Sequence, residues 1–378
     1  MRSGKRITAE SGQSGEGPSR PVRLLYVGTL AWGSTTLQRM EALRAWTDHL
    51  YAVDLRIFEG EYLTRPPWIR IQMRLGYGPL IRRVSEAVLR EATRYGPDVL
   101  WVDQGLSVAS YALAAVRART GALCVHYTPD SLYSPGFGSP CFRAAFRQYD
   151  LCMTTKPSEI ALYRGRGARD VLLTYQGFDP GIHRPTALDD ADARRFACDV
   201  AFIGQRMDDR ADSLAALAQH LGPRASIRLY GRGWEKGRTR KVLAPLHRGW
   251  VAGIQYGKAL CGAKVCLAFL NREVGDVYTT RSFEIPACGA FMLAERTPLH
   301  QELFAEGVEA EYFSSTEELI GKVRWYLAHD AQRRRIAAAG QQRAQRSGYT
   351  WEARMQQCLD ACRQRLSEAR VSEERQIA

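Results

Sequence analysis

Short apolar runs that alternate with segments of helical spacing restrict the fold of this chain more than any other feature. The run VRLLYVG at 22–28 ends in a glycine, and Leu37, Met40 and Leu43 then follow at helical intervals. Similar apolar runs cover 52–57, 99–103, 122–127 and 151–155. Because strands that alternate with helices form βαβ units, this pattern predicts a parallel sheet.

The same alternation of strands and helices starts again after a stretch that has neither the helical nor the strand periodicity. Residues 177–198 are rich in proline, glycine and aspartate, and apolar runs then recur at 200–204, 226–231, 250–251, 264–269 and 290–294. The sequence therefore predicts an α/β fold with two doubly wound domains, at 21–178 and 199–349, joined by a linker at 179–198. We also expect a disordered leader at 1–20, a helix at 350–368 that crosses back to the first domain, and a polar tail at 369–378.

The charge of the chain points to an anionic partner. The formal net charge is +13, which suits nucleic acid, a phospholipid surface or a phosphorylated small substrate. Apolar residues make up 45% and charged residues 25% of the chain, which excludes wholesale disorder, collagen-like repeats and coiled-coil rods. We expect a cytoplasmic protein, because there is no signal peptide, no apolar run of the ~20 residues that span a bilayer, and no CxxC pair among nine cysteines.

The most informative motif is TTRSFEIPACGAFML at 279–293. We expect Thr279, Thr280 and Arg281 to form a loop that opens a helix, with Glu284 in its first turn. A helix N-terminus presents unpaired N–H groups, so a diphosphate can bind there with Arg281 beside it. Glu284 can accept hydrogen bonds from vicinal sugar hydroxyls, or it can simply be a partner of the helix dipole.

The longer run RSFEIPACGAFMLAERTPLHQELFAEGVEAEYFSSTEELIGKVRWYL resembles the C-terminal half of the spore-maturation (CgeB-like) glycosyltransferases, relatives of the large group-1 clan. The similarity extends upstream through CDVAFIGQRMDDRADSL, TPDSLYSPGF and WVDQG and downstream to YTWEARM, so it covers most of 22–360. It implies the GT-B architecture, in which two Rossmann-like domains face a cleft. It also implies transfer of a sugar from a nucleotide-diphosphate sugar to an acceptor, with retention of configuration and without a metal.

The resemblance assigns roles to the residues of this motif. It implies that Glu284 holds the ribose of the donor and that Thr279, Thr280 and Arg281 face the phosphates. Many relatives have an acidic residue eight positions before that glutamate, where it grips the transferred sugar; here the position is Asp276, an aspartate in place of glutamate.

A second group of candidates follows the first strand of the second domain. The resemblance places a glycine-rich turn and a basic residue at the pyrophosphate, which matches Gly204 with Arg206 or Arg210. A guanidinium suits this task because its planar fork engages two phosphate oxygens and neutralises the leaving group. The alternative is that these arginines face solvent.

Two further loops of the second domain are candidates for the nucleobase. YGRGW at 230–234 contains Gly231, and HRGWV at 247–251 contains Trp250 and Val251. Ligands of doubly wound sheets bind outside the carboxyl ends of the strands, where both loops are expected. Trp234 is either a core residue or a stacking platform.

The first domain supplies four candidates. His126 resembles the histidine that clan members place near the transferred sugar, although a histidine at a strand end can also be a structural hydrogen-bond partner. Asp130 is the candidate general base if the reaction inverts configuration. Asp103 lies at the same predicted edge, and Gly33 lies in the loop 28–36 that we expect to face the acceptor.

Several alternatives stay open. Asp190 and Asp192 match the DxD of metal-dependent glycosyltransferases, but they lie in the predicted linker, so we expect neither a metal nor another cofactor. Segment 65–83 is either a basic amphipathic helix that contacts anionic lipid at the membrane periphery or a helix with an arginine-lined outer face.

The acceptor is a small molecule, glycan, lipid or protein that the sequence does not identify. Rival functions are an epimerase-like enzyme on the same fold and a noncatalytic module that binds membrane or nucleic acid. The sequence contains no basic stripe interleaved with aromatic residues that would support the noncatalytic module.

Overall fold

Two parallel β-sheets form the framework of the protein in the computed structural model, which describes residues 21–47, 49–61 and 64–377. The predicted leader at 1–20 lies outside these residues. The first sheet has six parallel strands in the order β2-β1-β3-β4-β5-β6. Their bounds are Leu24–Gly28 (β1), Leu50–Asp54 (β2), Val99–Asp103 (β3), Leu123–Thr128 (β4), Leu151–Thr154 (β5) and Val171–Leu173 (β6).

The second sheet has five parallel strands in the order β11-β10-β9-β7-β8. The chain adds β8 on one side of β7 and then returns to add β9 on the other, so a topological switch point lies between β7 and β9. Crevices that bind ligands form at such points. The strand bounds are Cys198–Ile203 (β7), Ile227–Tyr230 (β8), Ala263–Ala268 (β9), Met292–Glu295 (β10) and Glu311–Phe313 (β11).

Helices connect the strands and cover both sheets. Their bounds are Thr35–Arg44 (α1), Arg56–Glu59 (α2), Pro67–Leu75 (α3), Pro79–Tyr95 (α4), Ser110–Thr120 (α5), Pro140–Ala145 (α6), Ile160–Gly165 (α7), Asp190–Phe196 (α8), Asp208–Leu221 (α9), Arg240–Leu243 (α10), Ile254–Cys261 (α11), Arg281–Ala287 (α12), Pro298–Leu303 (α13), Thr316–Ala328 (α14), Asp330–Arg346 (α15) and Trp351–Ile377 (α16). Within the described ranges, no helix combines the length and the hydrophobicity that a bilayer span requires.

Each sheet has an apolar core on both faces, which explains why the strands are continuous apolar runs. In β1, Leu25 and Val27 face one core and Leu24 and Tyr26 face the other. Trp234 is fully buried and donates from its indole nitrogen to the carbonyl oxygen of Gly204 at 3.2 Å, so it is a core residue. The predicted α/β class with two doubly wound parallel sheets is confirmed.

The last helix follows the second domain in sequence but packs on the first. One side of α16, including Trp351, Met355 and Leu359, joins the core on one face of the first sheet. The indole of Trp351 donates to the side chain of Gln38 at 2.9 Å. The helix also continues to Ile377, beyond the predicted end at 368, because the polar tail consists mainly of residues that favour helix.

Three strands differ from the sequence prediction. Residues 250–251 lie in a loop. Earlier in this loop, the backbone N–H of Arg248 donates to the carbonyl oxygen of Leu229. The strands β6 and β11 were not predicted, because each has only three residues and too short an apolar run to show a period. The predicted linker contains the short helix α8, where the Asp189 side chain caps the first turn by accepting from the backbone of Asp192.

Candidate functional site

A cavity of about 280 Å³ lies between the two domains, at the switch point of the second sheet. We call it the first cavity. The second domain lines it with the turns after β7 and β8, the loop before α11, and residues of α11 and α12. The first domain covers it with the start of α1. Its lining includes Gly33, Thr35, Gln38, His183, Gly204, Gln205, Gly231, Arg232, Trp250, Val251, Ala252, Gly253, Tyr256, Thr280, Arg281 and Glu284.

Two turns in close contact form the floor of the first cavity. A Cβ atom added to Gly231, whose φ is +116°, would lie 2.2 Å from the carbonyl oxygen of Gly204. Only glycine accepts both this backbone angle and this approach. The ends of β7 and β8 can therefore lie close together, and backbone atoms, not side chains, face the cavity at this point.

Arg281 is fixed at the switch point itself. Its guanidinium donates from Nη1 to the carbonyl oxygen of Ile203 and from Nη2 to that of Phe269, each at 3.3 Å. Ile203 is the last residue of β7 and Phe269 directly follows β9, so one side chain bridges the ends of the two strands. Its Nε is buried without a hydrogen-bond partner. The positive charge is thus held in place before any ligand arrives.

Glu284 is a buried carboxylate, with 5% of its surface exposed, and it faces the first cavity. The hydroxyl of Tyr256 donates to Oε2 at 2.5 Å, and Nε2 of His183 lies 3.7 Å from Oε1. The backbone N–H of Asp179 donates to Nδ1 of His183 at 3.0 Å, so the ring proton of a neutral His183 is on Nε2, toward Glu284. Burial, and then the charge of Glu284, raises the pKa of Tyr256, which keeps this hydroxyl protonated. Glu284 is therefore an oriented acceptor.

A second cavity of about 300 Å³ adjoins the first and shares Thr35, Thr280 and Arg281 with it. Its other residues come from both domains and include Asp130, Ser131, Ser134, Lys156, Gln176, Asn271, Asp276 and Thr279. The ammonium group of Lys156 forms an ion pair with Asp276 across the cleft. The two cavities form one continuous interdomain cleft.

Asp130, unlike Asp276, forms no ion pair among the described residues of the second cavity. The side-chain amide of Gln104 donates to it, and the side chain remains open to the cleft. Although Asp130 is exposed to the cleft, the protein around it partly desolvates the carboxylate, and this desolvation raises its pKa. A carboxylate with a raised pKa in a cleft has the properties of a general base.

His126 does not reach the cleft, and the prediction that it contacts a sugar is wrong. β4 continues to Thr128, so His126 lies inside the strand and its side chain points into the core on one face of the sheet. The ring is fully buried among aromatic residues, and Nε2 lies 3.0 Å from the carbonyl oxygen of Gln104. Burial lowers its pKa to about 4. The aromatic neighbours are Phe142, Phe146, Tyr149 and Tyr163.

Asp103 is also a structural residue and not an acceptor contact. Its side chain is fully buried, and Arg39 donates to both carboxylate oxygens, from Nε at 2.8 Å and from Nη2 at 3.0 Å. The hydroxyl of Tyr26 adds a bond of 2.6 Å. This closed network joins β1, β3 and α1 beneath the cleft, so it supports the site from below.

Of the three predicted arginines, the structure brings Arg281 alone to the first cavity. Arg206 pairs with Asp208 at 2.5 Å and packs beneath Gly237. Arg210 is buried behind Arg281 and donates to the carbonyl of Leu270 at 3.0 Å. Burial, and then the charge of Arg281, lowers the pKa of Arg210 to about 10.

The loop with Gly33 contacts the opposite domain instead of facing the second cavity. A Cβ atom on Gly33 would lie 2.9 Å from Cβ of Ala252, and one on Gly253 would lie 2.9 Å from the Trp32 ring. Gly33 therefore lies at the first cavity, together with Trp250 and Val251. The acceptor-side role of Gly33 stays a prediction, and the structure shows only that its loop lies against the second domain.

Sequence reasoning missed His183, Tyr256, Gln205 and Lys156. His183 belongs to the predicted linker and Tyr256 to a helix without a recognisable motif, so nothing local marks them. The DxD residues lie away from the strand ends, on α8, where Asp192 pairs with Lys258. Within the described part of the chain, no three His, Cys, Asp or Glu residues are grouped so that they could hold a metal ion.

Comparison with known proteins identifies relatives of this architecture. A glycosyl transferase-like family matches residues 210–360, and no curated protein matches the chain. Sucrose-phosphate synthase from Thermosynechococcus elongatus superposes with a TM-score of 0.65 at 17% identity, covering 91% of this chain and 99% of that one. Anabaena HepE in complex with UDP-glucose gives 0.59 at 15% identity, covering 93% of this chain and all of that one (100%).

A structure assigned as a UDP-N-acetylglucosamine 2-epimerase from Listeria monocytogenes also superposes, with a TM-score of 0.53 at 11% identity, covering 92% of this chain and 97% of that one. These likenesses confirm the predicted GT-B fold, two Rossmann-like domains around a cleft. The family match agrees with the predicted resemblance to group-1 glycosyltransferases. The CgeB-like assignment within that clan stays a prediction.

Proposed function

We propose that this protein is a glycosyltransferase that moves a sugar from a nucleotide-diphosphate sugar to an acceptor. The observation that carries the proposal is the oriented, buried Glu284, which faces the same cavity as the fixed charge of Arg281 at the switch point of a GT-B fold. The match of residues 210–360 to a glycosyl transferase-like family supports it. Structures of this fold that hold UDP or UDP-glucose agree with it.

In the proposed complex the donor lies along the cleft. The nucleobase rests against the loop with Trp250 and Val251, and the ribose hydroxyls donate to Glu284. The diphosphate lies beside Arg281 and Thr280, which border both cavities. The sugar then extends into the second cavity, toward Asp130 and Asp276. This order follows from the sequence of groups in a nucleotide sugar and from the order of the lining residues.

The chemical step breaks the bond between the anomeric carbon and the diphosphate oxygen. The acceptor hydroxyl forms the new glycosidic bond and passes its proton to the departing diphosphate oxygen if configuration is retained, while negative charge grows on the diphosphate. Arg281 is positioned to stabilise that charge, and its fixed geometry requires no reorganisation during the reaction. Retention of configuration and independence from metal belong to the proposal through the resemblance to the clan. Asp130 is the candidate base if the reaction inverts.

A thermal-shift panel of nucleoside diphosphates and their sugars tests the proposal. A ligand present at about 100 times its dissociation constant stabilises the folded state by about 2.7 kcal/mol, which is a clear rise in melting temperature. We expect Glu284→Ala to abolish the shift. Glu302→Ala is the matched control, since Glu302 is an exposed glutamate on α13 of the same domain. No response to any compound, or an undiminished response in Glu284→Ala, would contradict the proposal.

The stabilising nucleotide sugar then identifies the reaction. Proton NMR of that compound with the protein and no acceptor should show a stable donor, and release of the nucleoside diphosphate should require an added acceptor. Appearance of an epimer or of free sugar without an acceptor would favour the epimerase-like alternative. Equal turnover with and without EDTA is expected if the donor binds without a metal.

A further inference from the structure

The first domain exposes a cluster of large apolar side chains on α3 and the turn that follows it. Trp68 is 63% exposed, Ile71 57%, Leu75 59% and Tyr77 82%. Contiguous apolar surface of this kind marks an interaction site, whereas single exposed apolar residues are common. We refer to Trp68, Ile71, Leu75 and Tyr77 as the α3 face.

The geometry of α3 explains why this face points to solvent. Trp68, Ile71 and Leu75 are spaced by three and four residues, so they form one stripe along the helix. Ile69 and Met73, on another side, pack into the core of the domain. α3 therefore has two apolar sides, of which its own domain covers one.

The turn after α3 is held firmly, so the exposure does not result from a loose segment. Gly76 ends the helix with φ +66°, and a Cβ there would lie 2.6 Å from Cβ of Cys141. The side chain of Gln72 accepts from the backbone N–H of Leu80 at 2.7 Å and ties α3 to α4. An open, largely apolar groove of about 610 Å³ adjoins the turn, lined in part by Tyr77, Tyr111 and Cys141.

Arginines surround the α3 face. Arg70 and Arg74 are exposed on α3, and Arg82 and Arg83 are exposed near the start of α4. Segment 65–85 contains no aspartate or glutamate, and the carboxylate paired with Arg82 is Glu86, at 3.7 Å. The face is thus apolar at its centre and positive at its rim.

We infer that the α3 face docks on a bilayer surface that contains anionic phospholipid. Tryptophan, tyrosine and aliphatic side chains insert at the boundary between head groups and acyl chains, while arginines pair with lipid phosphates. A second copy of the chain is a poorer partner, because a symmetric dimer would place the two arginine rims against each other. A purely electrostatic partner such as nucleic acid would leave Ile71 and Leu75 uncovered.

The position of the α3 face relates it to the cleft. α3 packs against the short 3-10 helix Pro135–Gly138, which directly follows Ser134 in the lining of the second cavity. Docking would therefore bring the acceptor side of the cleft close to the lipid surface. This last step rests on the proposed function, whereas lipid binding itself does not.

Co-sedimentation with vesicles tests the inference directly. The full chain should sediment with vesicles of equal parts phosphatidylcholine and phosphatidylglycerol, bind weakly to phosphatidylcholine alone, and detach as salt increases. The triple variant Trp68→Ser, Ile71→Ser, Leu75→Ser should bind at least about tenfold more weakly. Val308→Ser with Trp325→Ser, two exposed apolar residues of the second domain, is the matched control and should bind normally.

Circular dichroism and the nucleotide thermal shift show whether each variant is folded, and they separate this test from that of the proposed function. If the triple variant does not fold, Arg70→Ala with Arg74→Ala tests the rim and should also reduce binding. Failure of the wild-type chain to bind the mixed vesicles would overturn the inference, as would undiminished binding by the folded variants. If sedimentation velocity shows a wild-type dimer, the triple variant is a monomer, and no vesicle binding occurs, the α3 face is a self-association surface instead.

Discussion

Replacing Tyr256 with phenylalanine removes one oxygen atom, the one that donates to Glu284 at 2.5 Å. The second neighbour, His183, is 3.7 Å from the other carboxylate oxygen, too far to hold Glu284 in the same orientation. A hydrogen bond to a charged group contributes about 1.5 to 3 kcal/mol, and 1.4 kcal/mol corresponds to a factor of ten. The free energy of this hydrogen bond is the upper limit to the binding free energy that Tyr256→Phe can lose, because the rest of the cavity is unchanged. We therefore expect the nucleoside diphosphate to bind about tenfold more weakly to Tyr256→Phe.

Isothermal titration calorimetry with the nucleoside diphosphate selected by the thermal-shift panel measures this change. Tyr230→Phe is the matched control, because Tyr230 is a buried tyrosine of the same domain whose hydroxyl has no hydrogen-bond partner among the described groups. Its affinity should equal that of the wild type. If Tyr256→Phe also binds normally, the hydroxyl does not orient Glu284 for ribose, and our reasoning about this pair is refuted.

Two further predictions concern stability. Burial lowers the pKa of His126 and of His300 to about 4, so between about pH 6.5 and 4 the unfolded chain takes up protons that the folded chain does not. The free energy of unfolding in urea should therefore fall by roughly 2 kcal/mol per histidine from about pH 7 to pH 5, and His126→Gln should show a weaker dependence; equal slopes would contradict the burial of His126. Asp103→Ala leaves Arg39 as an unpaired buried charge and should lower the free energy of unfolding by about 3 to 5 kcal/mol. Full stability with lost turnover would instead favour the acceptor contact predicted from sequence.

The sequence predicted the framework well, because both sheets are buried on two faces and each longer strand is an apolar run. Glu284 and Arg281 could be predicted because one continuous motif carries them. Their partners could not, since Tyr256 and His183 come from separate segments that only the folded chain brings together.

The wrong predictions have a common physical cause. His126 and Asp103 were assigned from their place near strand ends, but the alternation of side chains along a strand decides which of them reaches the cleft. His126 lies two residues before the end of β4 and points into a core. Asp103 does end β3, but its carboxylate is fully satisfied by Arg39, and that residue was not among the candidates.

In the described structure the nine cysteines are free thiols. The cytoplasmic location itself stays a prediction.

A crystal structure of the protein with its most stabilising nucleotide sugar tests the central claim most directly. The account predicts ribose hydroxyls at hydrogen-bond distance from Glu284, the diphosphate beside Arg281, and the sugar in the cavity with Asp130 and Asp276. Density for the nucleotide outside the interdomain cleft, or a ribose without contact to Glu284, would contradict it.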